Sequence, residues 1–244
     1  MNQGIYKILI NHEIAKDVYE MILMGDTSHI TAPGQFINIQ LDGFYLRRPI
    51  SVCDYNKDTI TLLYKVVGAG TEKMAAMRSG QELDCLVGLG NGFDTSLSGD
   101  HPLLIGGGIG IPPLYNLCKK LVSEGKTPTV ILGFNTVQDI FYVQDFKELT
   151  PNVCVATADG SFGVKGFVTA IIEKLNDYTY FYTCGPEAML KAVYDTTKSS
   201  GQLSFEERMG CGFGACMGCS CETKYGNKRI CKDGPILVKE EIIW

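Results

Sequence analysis

The stretch Leu103-Leu-Ile-Gly106-Gly107-Gly108-Ile-Gly110-Ile-Pro112-Pro-Leu-Tyr115 reads as an apolar strand, a glycine turn and a helix opened by two prolines. Glycines let such a turn approach a ligand with bare backbone, and the helix behind it offers unpaired N–H groups to a pyrophosphate. The turn is not G-x-G-x-x-G, and no acidic residue stands about 20 positions on to take a ribose. By itself it is equally a close-packing turn. Its setting gives it meaning. From His101 onward, Leu103–Ile105 precedes a helical Leu114–Ser123, and Thr129–Gly133 precedes a helical stretch from about Val137 to Leu149. Val153–Thr157 likewise precedes Phe167–Leu175, and Tyr180–Cys184 precedes Pro186–Ser199. Strands alternating with helices predict a parallel sheet covered on both faces. Cys184-Gly185-Pro186 repeats the strand–turn–helix pattern, with Pro186 expected at the first helical position. An ordinary βα loop around a buried cysteine is the plainer reading of that segment. Both glycine loops would lie at the carboxyl ends of their strands, where open α/β sheets bind ligands. Together, Gly106, Gly107, Gly108, Gly110, Cys184, Gly185 and Pro186 predict a nicotinamide-nucleotide site.

The first hundred residues have a different rhythm. Ile5–Ile10, Tyr19–Met24, Gln35–Leu41, Ile50–Tyr55, Thr59–Val67 and Glu82–Val87 are short apolar or alternating runs separated by turn residues. Their spacing predicts a small antiparallel barrel, with only Thr71–Met77 looking helical. Arg47-Arg48-Pro49-Ile50-Ser51 stands at a strand start, where an arginine can pair with phosphate and Ser51 can hydrogen-bond a ring or a phosphate. Gly68-Ala-Gly70-Thr71 feeds the short helix and offers a second anion-binding N-terminus, with Thr71 as its cap. Taken singly, these features are a surface arginine pair and a capped helix.

The chain of 244 residues holds 10 cysteines, five of them in the last 34 residues. Cys211-Gly-Phe-Gly-Ala-Cys216-Met-Gly-Cys219, with Cys231 twelve residues further on, has the C-x4-C-x2-C spacing and distant fourth thiol of a plant-type [2Fe-2S] cluster. A loop around an anionic four-thiolate cluster needs backbone N–H groups and little side-chain bulk, and interleaved glycines supply both. Zinc would more often show paired C-x2-C knuckles, and only one is present. An inert loop would not need glycine at this density. Cys221 lies too close behind Cys219 to wrap an iron pair, which leaves Cys231 as the better fourth ligand.

At 45% hydrophobic and 20% charged residues the chain can bury a core, which excludes global disorder. A net charge of -5 argues against nucleic acid or an anionic membrane as partner. Met1–Ile10 does not read as a signal peptide, and the weakly polar run Pro102–Tyr115 is too short to span a bilayer. A soluble, cytoplasmic protein is expected, with disulfides disfavoured by a reducing compartment. His12, His29 and His101 form no ligand spacing, and no hydrolase elbow, zincin helix or Walker loop is present. The chemistry must then come from redox cofactors. The expected organisation is a barrel over residues 1–100, an α/β domain over 101–200 and a cluster-binding module over 201–244.

With these motifs on the page, the chain resembles the ferredoxin–NADP reductase superfamily. Arg48-Pro49-Ile50-Ser51 and Gly70-Thr71 look like its flavin domain, and Gly106–Gly110 and Cys184-Gly185-Pro186 look like its pyridine-nucleotide domain. The tail from Glu206 to Cys219, with Cys231-Lys-Asp-Gly-Pro235, is similar to that of the electron-transfer subunits of B-type (class 1B) dihydroorotate dehydrogenase. The Gly-Gly-Gly-Ile-Gly-Ile-Pro-Pro-Leu-Tyr run is typical of the same subgroup, and the likeness covers nearly the whole chain.

This resemblance implies three cofactors: FAD, a [2Fe-2S] cluster and NAD. Arg48, Pro49, Ile50 and Ser51 would line FAD, with Arg48 toward the pyrophosphate. Leu63, Tyr64 and Lys65 would pack along the isoalloxazine or its chain, and Gly70 and Thr71 would bind its phosphates. Cys211, Cys216, Cys219 and Cys231 would hold the cluster, in a module too short to be an independent ferredoxin. It further implies an FMN-containing catalytic partner subunit, in a heterotetramer of two copies of each, and a place in pyrimidine (UMP) biosynthesis. Two rivals stand beside it. One is the small subunit of a ferredoxin-dependent transhydrogenase or sulfide dehydrogenase, a family in which aspartate replaces the first cysteine ligand. The other is a non-enzymatic zinc-stabilised or redox-sensing interaction module.

Overall fold

The computed structural model describes all 244 residues. Through residue 89 the chain forms β1 (Asn2–Ala15), β2 (Val18–Met24), β3 (Phe36–Ile39), β4 (Arg48–Tyr55), β5 (Thr59–Lys65), helix α1 (Ala69–Ala76) and β6 (Glu82–Leu89). The strands close a barrel in the order β1-β2-β5-β4-β3-β6, with antiparallel neighbours. Period-2 alternation fills the barrel and also dresses its outside. Ile37 and Ile39 of β3, with Leu83, Cys85 and Val87 of β6, belong to the interior cluster. Phe36, Leu86 and Leu89 belong to a different apolar cluster, outside the barrel.

The second half contains β7 (Pro102–Gly107), α2 (Pro112–Ser123), β8 (Thr129–Phe134), α3 (Val143–Leu149), β9 (Val153–Thr157), β10 (Val164–Lys165), α4 (Thr169–Ile172), β11 (Tyr180–Cys184), α5 (Glu187–Thr196) and β12 (Gly201–Ser204). The tail adds the hairpin β13 (Ser220–Thr223) and β14 (Gly226–Arg229), and then β15 (Ile236–Val238). The sheet order is β10-β9-β8-β7-β11-β12-β15, parallel except for β15, which runs antiparallel to β12. The order reverses between β7 and β11, and a crevice opens at the carboxyl ends of strands flanking such a reversal. Helix α2 begins with Pro112 and buries Leu114, Leu117, Cys118 and Leu121, an apolar stripe at helical spacing.

Several local expectations shift. The helix expected from Val137 splits: Thr136 and Asp139 cap a single 3-10 turn at Val137–Asp139, and Tyr142 at φ 60° precedes α3. The helix expected over 167–175 shrinks to Thr169–Ile172. Pro186 is extended (φ -56°, ψ 145°) and lies just before α5 instead of in its first turn. Three strands of the sheet, β10, β12 and β15, escape the sequence reading because each is only two to four residues long.

The halves are joined by side chains as well as by the chain. Lys119 of α2 donates to Asp54 Oδ2 at 2.6 Å and Asn116 to Asp54 Oδ1 at 2.8 Å. The Tyr142 hydroxyl donates to Glu20 Oε1 at 2.7 Å. The tail is seated on both halves: Cys219, Ile230, Cys231 and Leu237 pack in the cluster that holds Phe36, Leu86 and Leu89. No helix is long and apolar enough to cross a membrane.

At Gly110 the loops after β7 and β11 meet backbone to backbone, and an added Cβ would stand 2.5 Å from Cys184 and Gly185. No side chain can yield there, so Gly110→Ala forces two loops apart. Overpacking of this kind costs about 1–3 kcal/mol, and each 1 kcal/mol lowers Tm by roughly 2–4 °C at this chain length. Thermal denaturation of the variant is expected to report that loss, whereas Gly108→Ala, with open space around its Cβ, should pay only for its positive φ.

Candidate functional site: two clefts and a thiol loop

A cleft of about 290 Å³ opens between the barrel and the tail. Arg48, Pro49, Ile50, Ser51, Leu63, Tyr64, Lys65 and Thr71 line it from β4, β5 and the start of α1. Gly70 is not in the wall: its bare Cα lies under Arg48, and a Cβ would meet Nε at 2.2 Å. Glycine thus lets the guanidinium cross the helix, while the Phe44 ring supports it at 4.5 Å. Thr71 is not the cap residue; Gly68 is, and the Thr71 hydroxyl folds back to accept from the N–H of Val67 at 2.9 Å. Tyr64 lines the cleft while its ring packs with the barrel interior and its hydroxyl donates to Asn11 Oδ1 at 2.8 Å. The opposite wall contains residues that sequence reasoning missed: Ile109, Ser204–Glu207, Met209 and Pro235. Ile109 comes from the loop after β7, and the others come from the end of β12 and from the tail.

A second cleft, of about 430 Å³, lies over the carboxyl ends of the sheet. Gly107, Gly108 and Pro186 line it, whereas Gly106, Gly110, Cys184 and Gly185 do not. Those four pack the floor instead. Gly106 and Cys184 are paired across β7 and β11, and Gly110 presses on the Cys184–Gly185 backbone. Burial pushes the Cys184 thiol up to about 12, so it stays protonated at neutral pH. Gly133, Phe134, Asn135, residues 166–169 and Met189 complete the walls, and Val18 and Lys65 reach in from the barrel. Glycine at the end of β8 and in the loop before α4 is the signal that could have found part of this wall. Lys65 and Ile109 line both clefts, so the two sites meet there.

The thiol loop is ordered by its own backbone. Ala215 N–H donates to Cys211 Sγ at 3.2 Å, Cys211 N–H to Cys216 Sγ at 3.4 Å and Cys231 N–H to Cys219 Sγ at 3.4 Å. Burial would raise the Cys211 thiol, but the N–H groups of Phe213, Cys216 and Ala215 and the Cys216 side chain outweigh it and hold it at about 6. Burial first and the nearby Cys219 thiol second push Cys231 up to about 12. The four sulfurs therefore stand as two pairs, Cys211 with Cys216 and Cys219 with Cys231. No three His, Cys, Asp or Glu side chains converge at the spacing of a single metal ion. Paired thiols framed by N–H donors fit a two-iron cluster, whose irons each take two sulfurs, better than a lone zinc. Arg229, another residue missed from sequence, donates to Gly214 O at 2.8 Å and to Asp233 at 2.8 Å, tying the loop to the turn that carries Cys231. Cys221 lies on β13, outside both pairs.

A barrel, a doubly wound sheet, clefts meeting at Lys65 and Ile109 and a thiol loop beside them define a flavin- and nicotinamide-dependent reductase with its own iron–sulfur module. Residues 104–195 match the oxidoreductase NAD-binding domain, and residues 206–243 match the iron–sulfur cluster binding domain of dihydroorotate dehydrogenase B. The chain is 44% identical to the dihydroorotate dehydrogenase B (NAD(+)) electron transfer subunit of Shouchella clausii (strain KSM-K16), over 99% of this chain and 98% of that protein. Against the protein of the same name from Bacillus mycoides (strain KBAB4), identity is 43% over 97% of each. A solved structure of an NADH-dependent reduced ferredoxin-NADP oxidoreductase, described for flavin-based electron bifurcation, superposes with a TM-score of 0.90. That match has 30% identity and covers 99% of this chain and 90% of the other. The chain belongs to the family of dihydroorotate dehydrogenase B electron transfer subunits.

The pairing of thiols separates the two candidates for fourth ligand. Cys231→Ser is expected to lose the cluster's visible absorption and most of its iron after anaerobic reconstitution, while Cys221→Ser keeps both. Iron and sulfide assays check this, and equal retention by the two variants would reject Cys231.

Proposed function

We propose that this chain carries electrons from an FMN-containing catalytic subunit, through a [2Fe-2S] cluster and FAD, to NAD+, so that (S)-dihydroorotate and NAD+ give orotate, NADH and a proton. The observation that carries this reading is the meeting of the two clefts at Lys65 and Ile109, with the tail segment from Ser204 to Met209 walling the first cleft just before Cys211. A two-electron and a one-electron site can exchange only when both adjoin a flavin, which takes up hydride and gives electrons singly when bound.

The chain's own residues position and exclude. Arg48, braced by Phe44 and unobstructed by Gly70, supplies the charge for a pyrophosphate, with Thr71 and the first turn of α1 beside it. Pro49, Ile50, Ser51, Leu63, Tyr64 and Lys65 line the ring side. In the second cleft Gly107, Gly108 and Pro186 leave the backbone bare for a dinucleotide, while Gly106, Gly110, Cys184 and Gly185 hold that backbone in place. Lys65 is the one basic side chain lining it, with Asp139 also in its wall, so it offers no arginine pair for a 2′-phosphate, which supports NAD over NADP. Cys211, Cys216, Cys219 and Cys231 hold the irons. Phe213 and Met217, exposed between the ligands, are the natural face for the catalytic subunit, in an assembly of two copies of each.

The similarity to the NADH-dependent reduced ferredoxin-NADP oxidoreductase gives a second reading, a transhydrogenase small subunit. Cys211, where that family resembles an aspartate-ligated site, favours the first. The purified chain with FAD and cluster is expected to oxidise NADH with artificial acceptors but not dihydroorotate. Dihydroorotate-dependent NAD+ reduction should emerge only on anaerobic reconstitution with the FMN subunit. A subunit that oxidises dihydroorotate unaided sinks the assignment, and a colourless, zinc-loaded protein restores the non-enzymatic alternative.

A further inference from the structure

Beneath the cluster loop, the outer wall of the barrel buries a polar side chain among apolar ones. Phe36 and Leu86 are buried against the tail, and between them Asn38 is 1% exposed. Its Oδ1 has no hydrogen-bond partner. A buried amide with an unmatched oxygen serves the fold less well than an isosteric leucine would. Packing alone therefore does not account for asparagine here.

What the amide touches is the first cysteine of the cluster motif. Asn38 Nδ2 donates to the Cys211 carbonyl at 3.4 Å. Gly212, at φ +78°, lies directly over the same nitrogen, and a Cβ there would fall 2.2 Å from it. The Cys211–Gly212 peptide thus rests on the Asn38 amide. Asn38 cannot retreat, because its own carbonyl accepts from Arg47 Nη1 at 3.3 Å and Arg47 is paired with Asp84 at 2.9 Å.

We propose that Asn38 is a positioning residue that sets the redox potential of the cluster through Cys211, an inference that rests on the iron–sulfur reading above. The peptide is planar, with C=O and N–H on opposite sides. Holding the Cys211 carbonyl down on the barrel turns the Gly212 N–H away from it, into the loop that already aims the N–H groups of Ala215 and Cys211 at sulfur. Donors directed at cluster sulfurs favour the more negative, reduced state and raise the potential. Removing the Asn38 donor frees this peptide to rotate and lowers the potential.

The test uses the full chain with FAD and cluster bound. Asn38→Leu removes the donor at nearly constant volume, and Asn38→Asp keeps the shape while replacing donor by acceptor. At a fixed ambient potential the reduced-to-oxidised ratio of the cluster should fall threefold to tenfold in Asn38→Leu, tenfold being 59 mV for a one-electron couple. It should fall further in Asn38→Asp. The EPR spectrum of the reduced cluster should change, while the potential of FAD stays at the wild-type value. Unchanged potential and EPR spectrum in a fully loaded Asn38→Leu protein overturn the proposal. Should that variant not load iron, Asn38→Asp decides by the same two measurements. A wild-type chain that binds no iron at all would instead overturn the reading of the loop as a cluster site.

Discussion

The close approach of Gly110 to the backbone of Cys184 and Gly185 holds the molecule's working parts in register. It locks the loop after β7 against the loop after β11, at the place where strand order reverses. Ile109, the residue just before that contact, is thereby presented to both clefts. A side chain at position 110 would separate the loops and with them the floor of the second cleft. Close packing, with no flexible group to absorb a misfit, makes this a fixed point rather than a hinge.

The cluster loop poses the opposite problem. Its glycines suit an anionic cluster but give it almost no core of its own, and so short a segment cannot stabilise itself by burial. The fold supplies support from three sides. β15 extends the sheet beside β12, the hairpin β13–β14 is anchored where Lys228 pairs with the buried Glu241, and Phe36, Leu86 and Leu89 provide an apolar seat on the barrel. Arg229 closes the arrangement by bonding both Gly214 and Asp233. The tail is therefore an integral third layer, which is why its first residues can wall the first cleft while the next ones carry thiols.

The readable part of the sequence was the part governed by local rules. Alternating apolar residues marked all six barrel strands, and the strand–glycine–helix pattern marked both nucleotide loops. The C-x4-C-x2-C run with Cys231 marked the thiol loop, since ligand spacing along a chain is itself a local property. Local rules failed where long-range partners decide. Thr71 reads as a helix cap but lies in the first turn, because the chain enters that helix at Gly68. Tyr64 lines the cleft as read, but its hydroxyl is also tied to Asn11, a partner 53 residues away that no local pattern announces. Asn38 carries no signal at all in sequence, being one polar residue in a four-residue strand.

By itself, then, the sequence determined the inventory: a barrel, a doubly wound sheet, two glycine turns leading into helices and four cysteines at cluster spacing. Hydrophobic periodicity, glycine stereochemistry and ligand spacing are written within short windows and need no partner to be read. Only the tertiary structure decided that Gly106, Gly110, Cys184 and Gly185 support a cleft that Gly107, Gly108 and Pro186 line. Only it brought Lys65 of the barrel and Ile109 of the sheet to one boundary, and Asn38 beneath Cys211. Such juxtapositions come from burying apolar faces that lie far apart in the chain, and their free energy exists only once the whole is packed.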